Sequence, residues 1–245
     1  MKKSVAMEKS AFKPVFLVPY YNHPEKIAKL VQNLSNLGEI LIVDDGSDEI
    51  AKKALNGLKA EIFTRKTNGG KGAAVKDGFK KALEMGYTHA FQIDADFQHD
   101  ISKCEEFLKS AREFPNCLIC ANPIYDENAP KGRLYGRKIT NFWCSINSLS
   151  NEIKDAMCGF RIYPLKQICE ILPQAKENRM GFDIEILVLA YRAGVNLKWL
   201  DLKVSYEKGG VSHFLPLRDN LLISLTHARL FLNLPFWAIK RAFRG

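Results

Sequence analysis

The chain is poor in several things that would assign it quickly. It holds six cysteines in 245 residues, too few and too scattered for a disulfide framework. Cys117 and Cys120 have CxxC spacing but lie in the apolar run CLICA, where strand alternation sends them to opposite faces. No second CxxC or HxxxH follows, which argues against a zinc site and for free buried thiols. The N-terminal segment MKKSVAMEKSAFK has lysines but no apolar stretch, so no secretory leader is expected. An uncharged apolar run of about 18 residues is also missing. Both absences predict a cytoplasmic protein. Internal repeats, low-complexity runs and a Gly-, Ser- or Pro-rich linker are absent, which predicts one main domain. There is no GxxxxGK[ST], and no GxGxxG follows the first strand, so a P-loop enzyme, a dehydrogenase and a methyltransferase are disfavoured. Acidic residues are in deficit, 27 against 36 lysines and arginines, for a net charge of +9. The basic residues are scattered and no nucleic-acid module is recognisable, so nucleic acid is not an expected partner. A phosphorylated substrate or an anionic membrane surface fits the surplus.

What is present is a regular alternation. Apolar strand patterns at 15–18, 40–43, 61–64, 90–93 and 118–121 alternate with helical patterns at 24–37, 48–58, 70–85 and 101–114. Short connections between them predict an α/β fold with a mostly parallel sheet covered by helices on both faces. The second half is less regular. It reads as a polar loop at 122–133, a helix at 134–149, a strand at 160–163, a helix at 182–193, a strand at 197–204 and an apolar helix at 217–243 kinked at Pro235. Sheets of this kind bind ligands at the carboxyl ends of their strands.

The unusual polar residues fall at those ends. Asp94-Ala95-Asp96 follows the apolar run AFQI, and alternate residues share a side. Two carboxylates so close repel each other, and a divalent cation removes that cost. Mg²⁺ or Mn²⁺ with oxygen ligands and substrate phosphates fits, with Gln98 as a neutral third ligand. Asp44-Asp45-Gly46-Ser47 repeats the arrangement one strand earlier; a carboxylate there can accept from a base N–H or a ribose hydroxyl. Asn68-Gly69-Gly70-Lys71-Gly72 opens a helix, where backbone N–H groups can hold an anion and Lys71 adds charge. The first strand ends in Pro19-Tyr20-Tyr21-Asn22, whose aromatics can stack on a base.

Taken in order, VPYYN, VDDGS, NGGKGAAVKDG and DADFQHD resemble the family 2 glycosyltransferases of GT-A fold. The later DAMCGFR and GFDIEIL are similar to the polyprenyl- or dolichyl-phosphate mannosyltransferase-like subgroup. The resemblance covers roughly residues 14–210. It implies transfer of a hexose from a GDP- or UDP-linked sugar. Pro19, Tyr21, Asn22, Asp44, Asp45, Lys71 and Asp94 would hold the donor, and Asp94, Asp96 and Gln98 the metal. Asp155, Asp96 and Arg137 would form the catalytic set. Arg133, Arg161, Glu185, Ser212 and His213 would serve the acceptor or its phosphate. A single displacement would invert the anomeric configuration. A hydroxyl acceptor would make Asp155 the base; a phosphate acceptor is already anionic and would rely on Arg133, Arg137 and Arg161.

Segment 217–243 combines apolar residues with Arg218, His227, Arg229, Lys240 and Arg241. It reads as a helix packed on the domain, a dimer contact, or a peripheral element at a membrane interface suited to a lipid-linked acceptor. Two rival functions remain open: a nucleotidyltransferase, whose mark would be pyrophosphate release, and a non-catalytic nucleotide-sugar binding module. Intact Asp94, Asp96 and Gln98 speak against the second.

Overall fold

The computed structural model describes residues 12–127, 129–205 and 215–243. Seven strands form one sheet in the order β3-β2-β1-β4-β6-β5-β7. They are β1 (Pro14–Tyr20), β2 (Glu39–Asp44), β3 (Glu61–Thr64), β4 (His89–Gln92), β5 (Leu118–Tyr125), β6 (Arg161–Pro164) and β7 (Leu197–Val204). β1 pairs in parallel with β2 and β4, β2 with β3, and β5 with β7. β6 alone runs against its neighbours β4 and β5.

Apolar runs buried on both sides make the centre of the sheet, as parallel strands require. Val15, Leu17, Leu41 and Val43 face one core cluster; Phe16, Val18, Ile40 and Ile42 face the other. Cys120 belongs to the first cluster and Cys117 packs on the second, so the CxxC pair is split across the sheet and all six cysteines are free.

Between the strands run α1 (Pro24–Leu34), α2 (Glu49–Lys53), α3 (Lys71–Glu84) and α4 (Cys104–Glu113). Ile27, Leu30, Val31 and Leu34 bury one face of α1, the 3.6-residue spacing read from sequence. Asp48 caps α2, accepting from Ala51 N at 2.8 Å. In the second half come α5 (Lys131–Ser148), α6 (Leu165–Ile171), α7 (Phe182–Arg192), α8 (Pro216–Leu232) and α9 (Leu234–Ala242).

The structure redraws parts of that half. The loop expected at 122–133 is shorter, because β5 pairs with β7 through Tyr125 and α5 starts at Lys131. Helix α6 was not expected. The C-terminal helix breaks at Asn233, two residues before Pro235, whose missing N–H and fixed φ suit the first turn of α9. Ile223 and Leu230 of α8 join the same core cluster as β1 and α7. Leu217–Ala242 is long and apolar enough to cross a membrane by length and composition, although no uninterrupted apolar run was expected there. Ser212 and His213 lie outside the described residues.

Candidate active site

Strand register brings the polar turns together. Tyr20 lies opposite Asp44, and Asp44 opposite Thr64. β4 runs parallel to β1, so Asp94, two residues past Gln92, leaves the sheet at the same edge. β6 is reversed, so the segment that enters it, Asp155 to Phe160, arrives at that edge too: Gln92 is paired with Arg161.

The centre of the site is Lys71. Its Nζ lies 2.8 Å from Asp94 Oδ1 and 2.9 Å from Asp183 Oδ2. Burial alone would lower the ammonium's pKa, but Asp183 and then Asp94 outweigh it and raise it. Burial would likewise raise Asp94, and Lys71 followed by His99 brings it below the usual carboxylate range. Gln92 Nε2 donates to Asp183 Oδ1 at 3.0 Å, fixing the second carboxylate from below. Gly159 closes the group: a Cβ there would meet Gln92 Nε2 at 2.7 Å and Lys71 Nζ at 2.9 Å. Sequence reasoning missed Asp183 and chose its neighbour Glu185.

Glu185 lies in a different cluster. It accepts from Glu177 N at 2.6 Å and sits 3.8 Å from Arg229 of α8. It is buried, and its carboxyl pKa is raised by desolvation. Residues 183 and 185 are about 200° apart around a helix, so only one of them can face Lys71.

Asp45 and the glycine-rich turn correct each other. Asp45 accepts from Gly69 N at 3.0 Å and Gly70 N at 2.7 Å, and pairs with Arg65, which also holds Asp77 at 2.8 Å. The anion at these two N–H groups is thus the chain's own carboxylate, and both Asp45 oxygens are engaged within the chain. Gly70 has φ 96°, and a Cβ there would meet Asn178 O at 2.6 Å. Asp44 is different. Its Oδ1 accepts from Ser47 N at 3.0 Å, while Oδ2 is buried with no hydrogen-bond partner. An unpaired buried carboxylate oxygen at a strand's carboxyl end fits a ligand N–H or O–H.

The aromatic turn is also divided. Tyr20 is buried and donates to Ala51 O at 2.8 Å, so it stacks on no base; burial, then Asp44, pushes its pKa to about 12. Tyr21 is half-buried and follows buried Pro19. Asn22, at φ 48°, ties the β1 turn to the β2 turn: its N–H donates to Ser47 Oγ and its Oδ1 accepts from Asp48 N.

Asp96 accepts from Gln98 N at 3.1 Å across a tight turn in which Phe97 has φ 60°. Lys26 Nζ donates to the Asp96 carbonyl at 3.2 Å. Among the described residues no three His, Cys, Asp or Glu side chains form a closed metal cage. The oxygen donors of Asp94, Asp96 and Gln98 are of the kind a hard divalent cation takes. The Lys71 ammonium against Asp94 marks the same spot as one that attracts positive charge.

On the other side, Arg137 Nη1 donates to both oxygens of Asp155 at 2.9 Å, and its guanidinium lies 5.0 Å above the Tyr125 ring. Asp155 Oδ1 also accepts from Met157 N and Cys158 N. Arg133 stands on the exposed first turn of the same helix. Arg161 needs correcting as an acceptor contact. It is fully buried, donating to the carbonyls of Asp183 at 2.7 Å and Asp155 at 3.3 Å. It braces the two halves of the site from beneath. His99 touches Cys158 at 3.6 Å; burial lowers its pKa, but Cys158, then Asp94 and Asp96, lift it to about 9.

The sequence profile described as glycosyl transferase family 2 matches residues 15–166. The UDP-N-acetylglucosamine–dolichyl-phosphate N-acetylglucosaminyltransferase of Methanococcus voltae is 26% identical, over 78% of this chain and 85% of its own. The dolichyl-phosphate beta-glucosyltransferase of Dictyostelium discoideum is 24% identical over 91% of this chain and 76% of its own. Among solved structures, glucosyl-3-phosphoglycerate synthase from Mycobacterium tuberculosis, in complex with Mn²⁺, UDP and glucosyl-3-phosphoglycerate, superposes with a TM-score of 0.68 at 14% identity. That match covers 92% of this chain and 80% of the synthase.

Proposed function

The chain belongs to glycosyl transferase family 2 and is a glycosyltransferase of GT-A fold, and from that premise we propose that it transfers a hexose from a nucleoside-diphosphate sugar to a lipid phosphate, with inversion. The observation that carries the acceptor class is the use made of Asp155. Its carboxylate is engaged by Arg137 and two backbone N–H groups, which suits an arginine holder better than a proton acceptor. A phosphate acceptor is already anionic and needs no base. Arg137, with Arg133 one turn earlier, supplies the donors that a phosphate requires. The names of the curated relatives, both dolichyl-phosphate transferases, support the same class.

On the donor side, Pro19, Tyr21 and the free oxygen of Asp44 would take the nucleoside. Lys71 would meet the diphosphate. Asp94 and Asp96, with Gln98, would hold Mg²⁺ or Mn²⁺, which supplies charge neutralisation for the leaving nucleoside diphosphate. The acceptor oxygen attacks the anomeric carbon on the face opposite that leaving group, so one displacement inverts the configuration. UDP- and GDP-linked sugars are the candidate donors; the Mn²⁺ and UDP held by the mycobacterial synthase favour UDP.

A thermal-shift screen of UDP, GDP and their sugars, with and without Mg²⁺ or Mn²⁺, tests this reading. A ligand that binds only the folded state raises Tm. The expected result is a metal-dependent rise with one nucleotide, lost in Asp94→Asn. No rise with any nucleotide in well-folded protein overturns it.

A further inference from the structure

Helix α5 is built inside out. Its buried side chains are Thr140, Cys144, Asn147 and Ser148, while Tyr135, Ile139, Phe142 and Trp143 are exposed. The exposed four are spaced i, i+4, i+7 and i+8, one stripe of a helix. A helix serving only a soluble core would place those two sets the other way round. On α8, Leu217, Leu221 and Leu225 form a second exposed stripe, opposite the face that carries buried Ile223, Thr226 and Leu230. The stripes meet where Trp143 packs edge-on against Phe231, ring centroids 6.4 Å apart. Of the eighteen large hydrophobic residues exposed among the described residues, eleven lie on α5, α8 and α9.

We propose that α5, α8 and α9 together form one face that docks flat on an anionic lipid bilayer. The inference deepens the lipid-phosphate reading, on which it rests for its purpose, by adding α5, the helix that carries Arg133 and Arg137. Charge selects the partner. The three helices hold eight lysines and arginines and a single acidic residue, Asp219, which is buried. They account for +7 of the chain's +9 (eight minus one) with no carboxylate exposed. A second copy of the chain meeting this face would set like charge against like charge. Anionic headgroups complement it, with the apolar stripe seated at the acyl boundary.

The geometry favours lying flat over crossing. α8 is fastened to the domain along its length: Asp219 to Arg179 at 3.3 Å, Thr226 to Glu177 at 3.2 Å, and Ile223 and Leu230 in the core. A spanning α8 would surrender all of these and carry Asp219 and Arg229 into hydrocarbon.

The test is co-sedimentation of the full chain with phosphatidylcholine vesicles, with and without phosphatidylglycerol. Expected is binding that needs phosphatidylglycerol and falls about tenfold or more in Ile139→Glu/Phe142→Glu. Both positions are solvent-exposed, so Tm and the nucleotide-induced thermal shift should stay unchanged. Absent binding, binding equal on both vesicles, or binding untouched by the double variant overturns the proposal. So does a dimer in sedimentation that the double variant dissociates. The nucleotide shift reports on the enzymatic reading separately, so failure of one is distinguishable from failure of the other.

Discussion

Arg137 places a single guanidinium nitrogen, Nη1, 2.9 Å from both carboxylate oxygens of Asp155. The pair joins α5 to the segment entering β6, and Arg161 holds the Asp155 carbonyl from below. If Asp155 orients Arg137, then Asp155→Asn should raise the KM for the lipid-phosphate acceptor at least about tenfold. Donor affinity should change less than twofold. Arg137→Lys, which keeps charge but loses the planar fork, should behave similarly. Steady-state kinetics with varied acceptor decide. A lost kcat with unchanged acceptor KM would instead identify Asp155 as a base.

Lys71 shares its charge between Asp94 and Asp183. Breaking one arm of a buried pair leaves the other charge undercompensated, at about 3 kcal/mol. Asp183→Asn should therefore lower stability by that order and weaken nucleotide-sugar binding. In Lys71→Met/Asp183→Asn the stability loss should be less than the sum of the singles, because the Lys71–Asp183 contact is lost only once and Asp94 alone is left without its ammonium. Denaturant unfolding of the four proteins, together with donor titration by calorimetry, checks both statements.

A methyl group on Gly159 would displace the ends of the Gln92 and Lys71 side chains, which a Cβ there would meet at 2.7 and 2.9 Å. Gly159→Ala should disperse this cluster and lower kcat/KM about a hundredfold, as ångström-scale misplacement of reacting groups does. Gly132→Ala, with nothing near its Cβ, is the control expected to retain activity.

His227 is buried on α8 beside Asn147, 3.2 Å away, and burial lowers its pKa from 6.5 to about 4. The unfolded chain takes up the proton first as pH falls. The stability held above pH 6.5 is thus lost progressively down to about pH 4. His227→Gln should flatten that part of the Tm-against-pH curve; a parallel curve would refute the assignment.

How much of this was legible beforehand follows from which interactions are local. The alternation of β1 to β5 with helices could be read because both periodicities are properties of short segments. The kink near Pro235 is equally local. The length of β5 was not, since its last residues are strand only by pairing with β7 some 80 residues later. α6, seven residues long, carries too little periodicity to stand out. In the site, Asp94 and Lys71 were legible from turns at strand ends. Asp183 was not, since choosing it over Glu185 needs the rotation of α7 against α3, which Gly72 sets by admitting Phe182 at its surface. Arg161 misled because an arginine suggests a ligand, while its burial makes it a beam.

The single reversed strand has a further consequence. Because β6 enters the sheet at the edge where its parallel neighbours leave, the donor and acceptor sides proposed above are written in separate stretches of chain. Residues up to about 100 supply Asp44, Lys71, Asp94 and Asp96, and residues 125–160 supply Tyr125, Arg133, Arg137 and Asp155. They meet where β4 pairs with β6, where His99 touches Cys158 and where Gly159 lies against Gln92 and Lys71. The two stretches are nonetheless not separable modules: Asp183, contributed by α7 after both, returns to hold Lys71 and Gln92, so a change in either stretch must be accommodated by the third.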